Sequence, residues 1–106
     1  MTDKMPPFSA LANHTRQVLL LRLGSGPTNV GRLAQGMWVS RPAVSQHLKI
    51  LKDAGLIRER REGRKRLYEI DPEGLDLLRH WLNQLKVWAV ATSGRDRSKS
   101  DTEKQD

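Results

Sequence analysis

The spacing of apolar residues changes along this chain, and each change marks an element. Phe8 to Ala12 (FSALA) form a short apolar element after Pro6 and Pro7, and Asn13 is placed to cap a second helix by accepting from a free first-turn N–H. Val18, Leu19, Leu20, Leu21 and Leu23 give that helix a nearly continuous apolar face. Gly24, Ser25, Gly26 and Pro27 end it, because glycine allows the left-handed cap and proline cannot continue a helix. Val30, Leu33, Ala34 and Met37 recur at spacings of three and four, which predicts a third helix capped by Thr28 or Asn29 and turning at Gly36.

Ser40 caps a fourth helix with Pro42 in its first turn, where the missing N–H has no intrahelical acceptor to serve. At roughly 100° per residue, Val44, Leu48 and Leu51 gather on one side of it, while Arg41, Ser45, Gln46, Lys49 and Lys52 take the other. His47 falls between the two, nearer the apolar side, and Ala54 and Gly55 close the helix. Two strands follow, Leu56 to Arg61 and Lys65 to Ile70, with Glu62, Gly63 and Arg64 at the turn. If Leu67 faces inward, alternation turns Tyr68 outward.

Asp71 caps a last helix that Pro72 opens and that runs to about Ala91. Along it Leu75, Leu78, Leu82 and Leu85 form one stripe, and Leu77, Trp81 and Trp88 form a neighbouring one. One stripe is expected to cover the chain's own core. The other, joined by Phe8 and Leu11, is expected to meet a second copy, since a body of about ninety ordered residues gains burial by pairing. The reading is thus mainly α with a small β-hairpin: an N-terminal arm over residues 1–7, a single domain over 8–91, and a polar tail over 92–106. From Ser93 onward, SGRDRSKSDTEKQD holds no apolar residue and is expected to be disordered.

Charge narrows the class of partner. Nineteen Lys and Arg against twelve Asp and Glu give a formal charge of +7, which favours an anion through counterion release. There is no apolar run long enough to span a bilayer, and MTDKMPPF lacks a signal-peptide core, so no membrane and a cytoplasmic location are expected. Cysteine is absent, which excludes disulfides, thiolate metal sites and thiol redox sensing.

The polar face of the fourth helix points to double-stranded DNA, because Gln bonds adenine bidentately, Ser reaches donor or acceptor edges, and Lys or Arg favours guanine or phosphate. A merely solvated face is the alternative, but the preceding tight turn and the following basic ribbon supply the context that the motif requires. The ribbon carries Arg58, Arg60, Arg61, Arg64, Lys65 and Arg66 against Glu59 and Glu62. That exceeds what protection of a sheet edge needs, and the tip residues Arg64 and Lys65 reach farthest. His47 either bonds a phosphate or base edge or completes the junction between helices, and its wheel position leaves both open.

Asp76 and His80, four apart, lack the further ligands that zinc needs, so they read as a charged surface pair and neither metal nor cofactor is expected. Ser45 has no histidine and carboxylate to activate it, and no glycine-rich phosphate loop exists, so the chain is not read as an enzyme. Trp38, in the turn before the fourth helix, has no account at this level.

From Ser9 to about Leu85, ALANHTRQVLLLRL, VGRLAQ, SRPAVSQHLKILKDAGLI and RREGRKRLYEI follow one another in the order and spacing of a known family. The chain resembles the ArsR-type (ArsR/SmtB-like) winged helix-turn-helix repressors. The resemblance implies five helices, a two-stranded wing and a homodimer joined through the first and last helices, with each recognition helix in a major groove and each wing along the backbone. By position it assigns Arg41, Ser45, Gln46, His47 and Lys49 to the recognition helix and Arg64 and Lys65 to the wing tip. Members that sense thiophilic metals carry cysteines where this chain has Asn29, Val30 and Gly31, so arsenic, cadmium and lead sensing through that site is excluded. Asp76 and His80 are a partial echo of a second family metal site, and the resemblance assigns no small-molecule effector. A winged-helix module for protein or RNA contact is the alternative function.

Overall fold

The computed structural model describes residues 5–93, with side chains through residue 86. Along the chain stand α1 (Pro7–Ala10), α2 (His14–Leu23), α3 (Val30–Ala34), α4 (Arg41–Asp53), β1 (Ile57–Glu62), β2 (Lys65–Ile70) and α5 (Pro72–Ser93). Asn13 Oδ1 accepts from Arg16 N at 3.0 Å, Asn29 Oδ1 from Arg32 N at 2.9 Å, and Ser40 Oγ from Ala43 N at 3.2 Å. Each of these side chains satisfies an N–H left without an intrahelical acceptor, so three helix starts are fixed by a single residue each.

The chain forms two compact units, one ending at Asp76 and the other starting at Leu77. The core of the first unit gathers Ala10, Leu19, Leu23, Leu33, Val44, Leu48, Leu51, Leu56 and Ile57. Helices α2, α3 and α4 and the first strand therefore share one apolar centre, which fixes the orientation of α4. Arg22 adds a polar clamp: its Nη1 donates to the carbonyls of Leu33 at 2.9 Å and Gln35 at 2.7 Å, taking up acceptors at the end of α3.

The third helix is shorter than its apolar spacing predicts. Gln35 is extended and Gly36 has φ 75°, so the chain leaves the helix before Met37. Similarly, α1 ends at Ala10 instead of Ala12, β1 starts at Ile57 instead of Leu56, and α5 runs two residues past Ala91. The arm and tail expected over residues 1–7 and 92–106 lie mostly outside the described residues; Pro7 already belongs to α1 and Thr92 and Ser93 to α5.

The hairpin pairs Ile57 with Ile70 through Glu62 with Lys65 in antiparallel register, and Gly63 turns it at φ 65°. Here the expected side-chain alternation is reversed, for Tyr68 is buried and Leu67 only half-buried. The cause is tertiary. Thr28, in the segment between α2 and α3, exchanges backbone hydrogen bonds with Tyr68 at 3.0 and 2.8 Å, which adds a rung to the outer side of β2 and holds Tyr68 at the body of the domain.

The start of the last helix is tied to the residue before the wing. Asp71 N donates to Leu56 O at 2.9 Å while Asp71 Oδ1 accepts from Glu73 N at 3.0 Å, so the cap that opens α5 is also tied to the residue before β1. In the second unit, Leu78 is buried, whereas Leu77, Trp81, Leu82 and Leu85 are exposed. Of the stripe Leu75, Leu78, Leu82 and Leu85, only Leu78 is buried and the other three lie exposed, so neither stripe is buried along its length among the described residues. Trp88, expected on the pairing stripe, has its side chain outside the described residues.

Candidate nucleic-acid interface

The two faces of α4 separate cleanly. Val44, Leu48 and Leu51 are fully buried, and Arg41, Ser45, Gln46, Lys49 and Lys52 are exposed. Among the described residues, Ser45 and Gln46 make no side-chain hydrogen bond, so their valences are available to a ligand. Lys49 Nζ pairs with Asp53 at 3.0 Å one turn on, and Lys52 Nζ reaches Glu59 on β1 at 3.1 Å. The Arg41 guanidinium lies over Gly31, where an added Cβ would stand 3.1 Å from Nη2, so this glycine gives the first side chain of α4 room above α3.

Ion pairs divide the wing cations. Glu69 holds Arg58 at 2.8 Å and Arg60 at 3.3 Å, Glu62 also meets Arg60, and Glu59 holds Arg66 at 2.7 Å. The hydrogen bond from Arg58, then that from Arg60, keeps the Glu69 carboxyl below its ordinary range, so the pair stays ionised at neutral pH. Arg61, Arg64 and Lys65 have no ion pair among the described residues. Of the six wing cations, Arg58, Arg60 and Arg66 are thus engaged with carboxylates of the wing itself, and a phosphate would compete with Glu59, Glu62 or Glu69 for them. Between α4 and β1 lies an open cleft of about 460 Å³ edged by Lys52, Arg58, Arg60 and Arg61 together with Glu59 and Asp71.

His47 turns towards the protein. Its Nδ1 lies 3.3 Å from Nη1 of Arg16, a residue of α2 that is itself buried, with 8% of its surface exposed. Burial first, and the Arg16 charge second, lower the His47 pKa below the ordinary value. Of the two readings that the wheel leaves open, the junction holds for Nδ1. Sequence reasoning passed over Arg16, although its spacing of three and seven to the buried Leu19 and Leu23 places it on the inner face of α2.

Trp38 is fully exposed between the half-buried Met37 and Val39. His80 Nε2 lies 3.3 Å from the Gln84 amide nitrogen, and among the described residues no group of three or more His, Cys, Asp or Glu is placed to hold a metal. Among those residues also, no helix is long and apolar enough to cross a membrane.

A buried-faced helix presenting free amide and hydroxyl groups, preceded by a tight turn and followed by a basic hairpin, defines a winged helix-turn-helix DNA-binding protein. A family model described as a helix-turn-helix domain matches residues 11–60. Over 87 residues the chain is 48% identical to the HTH-type transcriptional regulator Rv2034 of Mycobacterium tuberculosis, covering 82% of this chain and 79% of that one. It is 39% identical over 87 residues to the HTH-type transcriptional repressor SmtB of the same organism, of which it spans 59% while 82% of this chain is covered. A solution structure of the homodimeric winged helix-turn-helix DNA-binding domain Mb0332 of Mycobacterium bovis, a possible ArsR-family transcriptional regulator, matches with TM-score 0.61 at 25% identity. That match covers 94% of this chain and 84% of the other. The chain belongs to the ArsR/SmtB family of transcriptional regulators, a family of DNA-binding proteins and not of enzymes.

Proposed function

We propose that this regulator acts in the cytoplasm as a homodimeric repressor, seating two copies of α4 in successive major grooves of a near-palindromic operator. The observation that carries this reading is the free, exposed pair Ser45 and Gln46 on the face of α4 opposite three fully buried residues, with unpaired Arg61, Arg64 and Lys65 farther along the same chain. Two-fold symmetry spaces the half-sites by about one helical turn. The homodimeric relative and the repressor among the relatives support the reading.

Selection of bound sequences from random duplex DNA tests it. A two-fold symmetric consensus is the expected result, and displacement of that duplex by structured RNA at physiological salt would defeat it. On the selected site, Gln46→Ala costs on the order of 1–3 kcal/mol and relaxes preference at one base per half-site, as read from binding to each single-base variant. Equal loss on random DNA would assign Gln46 to the backbone instead.

The residues proposed for pairing are Phe8 and Leu11 near the start of the chain and Leu77, Trp81 and Trp88 on the last helix; of the latter, Leu77 and Trp81 are exposed and the Trp88 side chain lies outside the described residues. Leu77 is 63% exposed in one protomer, so Leu77→Glu leaves the isolated chain's folding intact but buries two unpaired charges in a dimer. Sedimentation should show the dimer dissociating at roughly hundredfold lower dilution, equivalent to about 3 kcal/mol. A wild type that sediments as a monomer at micromolar concentration would remove this part of the proposal.

A further inference from the structure

Arg16 is a buried cation with no carboxylate partner among the described residues. Leaving a guanidinium unpaired in a small core is costly, so its bonds need an account. Nε donates to the Ala10 carbonyl at 2.6 Å, Nη2 approaches the Met5 sulfur at 3.8 Å, and Nη1 faces His47 Nδ1 at 3.3 Å. The Ala10 bond fixes the plane of the fork, so Nη1 is aimed and not free to swing.

An arginine only donates, so His47 Nδ1 must accept, and a neutral ring then carries its proton on Nε2. That nitrogen has no hydrogen-bond partner among the described residues. It belongs to a half-buried ring on α4, beside the exposed Gln46. We infer that Arg16 is a positioning residue of the DNA interface, holding His47 so that Nε2–H is a fixed donor to an acceptor atom of the duplex. The inference deepens the DNA-binding reading and rests on it. The same guanidinium also ties α1 to α4 through Ala10, so one side chain orders the start of the domain and the helix that reads DNA.

The test uses the full chain and the duplex selected above. Long-range ¹H–¹⁵N spectra of the wild type should show His47 as a single Nε2–H tautomer, and Arg16→Met should convert it to a tautomer mixture. His47→Asn keeps an acceptor near the Nδ1 position and removes the Nε2 donor. It should melt with the wild type yet bind the selected duplex about tenfold more weakly. Loss on random duplex as well identifies a phosphate acceptor; loss on the selected duplex alone identifies a base edge. Arg16→Met should weaken binding to a similar degree, with the double variant no weaker than either single one. If Arg16→Met does not fold, the wild-type tautomer and His47→Asn decide the matter. An Nδ1–H or mixed tautomer in the wild type, wild-type affinity in His47→Asn, or additive losses would each overturn the inference. A wild type that prefers no duplex sequence removes the DNA-binding reading and this inference together, whereas unaffected variants of a wild type that does bind remove the inference alone.

Discussion

Gly74→Ala should destabilise the domain by about 3 kcal/mol, lowering its melting temperature by on the order of 15 °C at fixed protein concentration. Gly74 is buried in the first turn of α5, and a Cβ built there collides with the Gly55 carbonyl oxygen and stands 2.8 Å from the Gly55 carbonyl carbon and 3.0 Å from Leu56 Cα. These are backbone atoms held by the cap of α4, where Gly55 has φ 83°, and by the bond from Asp71 N to Leu56 O, so no rotamer change relieves the clash. In an unconstrained helix the same substitution would stabilise by about 1 kcal/mol. The close approach reverses that sign. Glu73→Ala, one residue earlier and exposed, is the control, and thermal melts of the two read the difference. A Gly74→Ala variant as stable as the wild type would show that α5 can shift from this position at no cost.

Replacing Arg61, Arg64 and Lys65 together with glutamine should flatten the salt dependence of DNA binding far more than replacing Arg58 and Arg66. A cation that meets phosphate contributes a slope of about 0.9 in log K against log salt, so three lost contacts per protomer remove up to about 5 from the slope of a dimer. Arg58 and Arg66 already sit on Glu69 and Glu59, and a phosphate would have to displace those carboxylates first. Titrations between about 50 and 200 mM salt on selected and random duplexes measure the slopes. If the slope simply tracked charge removed, the two variants would stand in the ratio three to two. The pairing pattern predicts a larger disparity, similar on both duplexes, because backbone contacts carry no sequence information. A ratio of three to two would mean that the wing acts as a diffuse cloud of charge.

Much of the interface was legible in the sequence because local rules govern it. Helical periodicity alone separates Val44, Leu48 and Leu51 from Ser45 and Gln46, and the caps at Asn13, Asn29 and Ser40 each require only a polar side chain at the right offset. Gly55 and Gly63 likewise announce the end of α4 and the tip of the wing through positive φ. The division of the wing cations was not legible. Alternation places Arg60 on a strand, but whether Glu69 or a phosphate holds it depends on the register of a partner strand eleven or nine residues from the arginines that Glu69 binds.

Sequence by itself determined the order of the elements, the two faces of α4 and the cationic hairpin, because hydrophobic spacing, capping and charge act over a few neighbouring residues. Only the tertiary structure decided that Tyr68 is buried while its backbone pairs with Thr28, that Arg16 meets His47, that Glu59 and Glu69 occupy half the wing's cations, and that Gly74 must lack a side chain. Each of those depends on backbone or side-chain atoms brought together from separate elements, and a distance of that kind is set by packing, which no local pattern encodes.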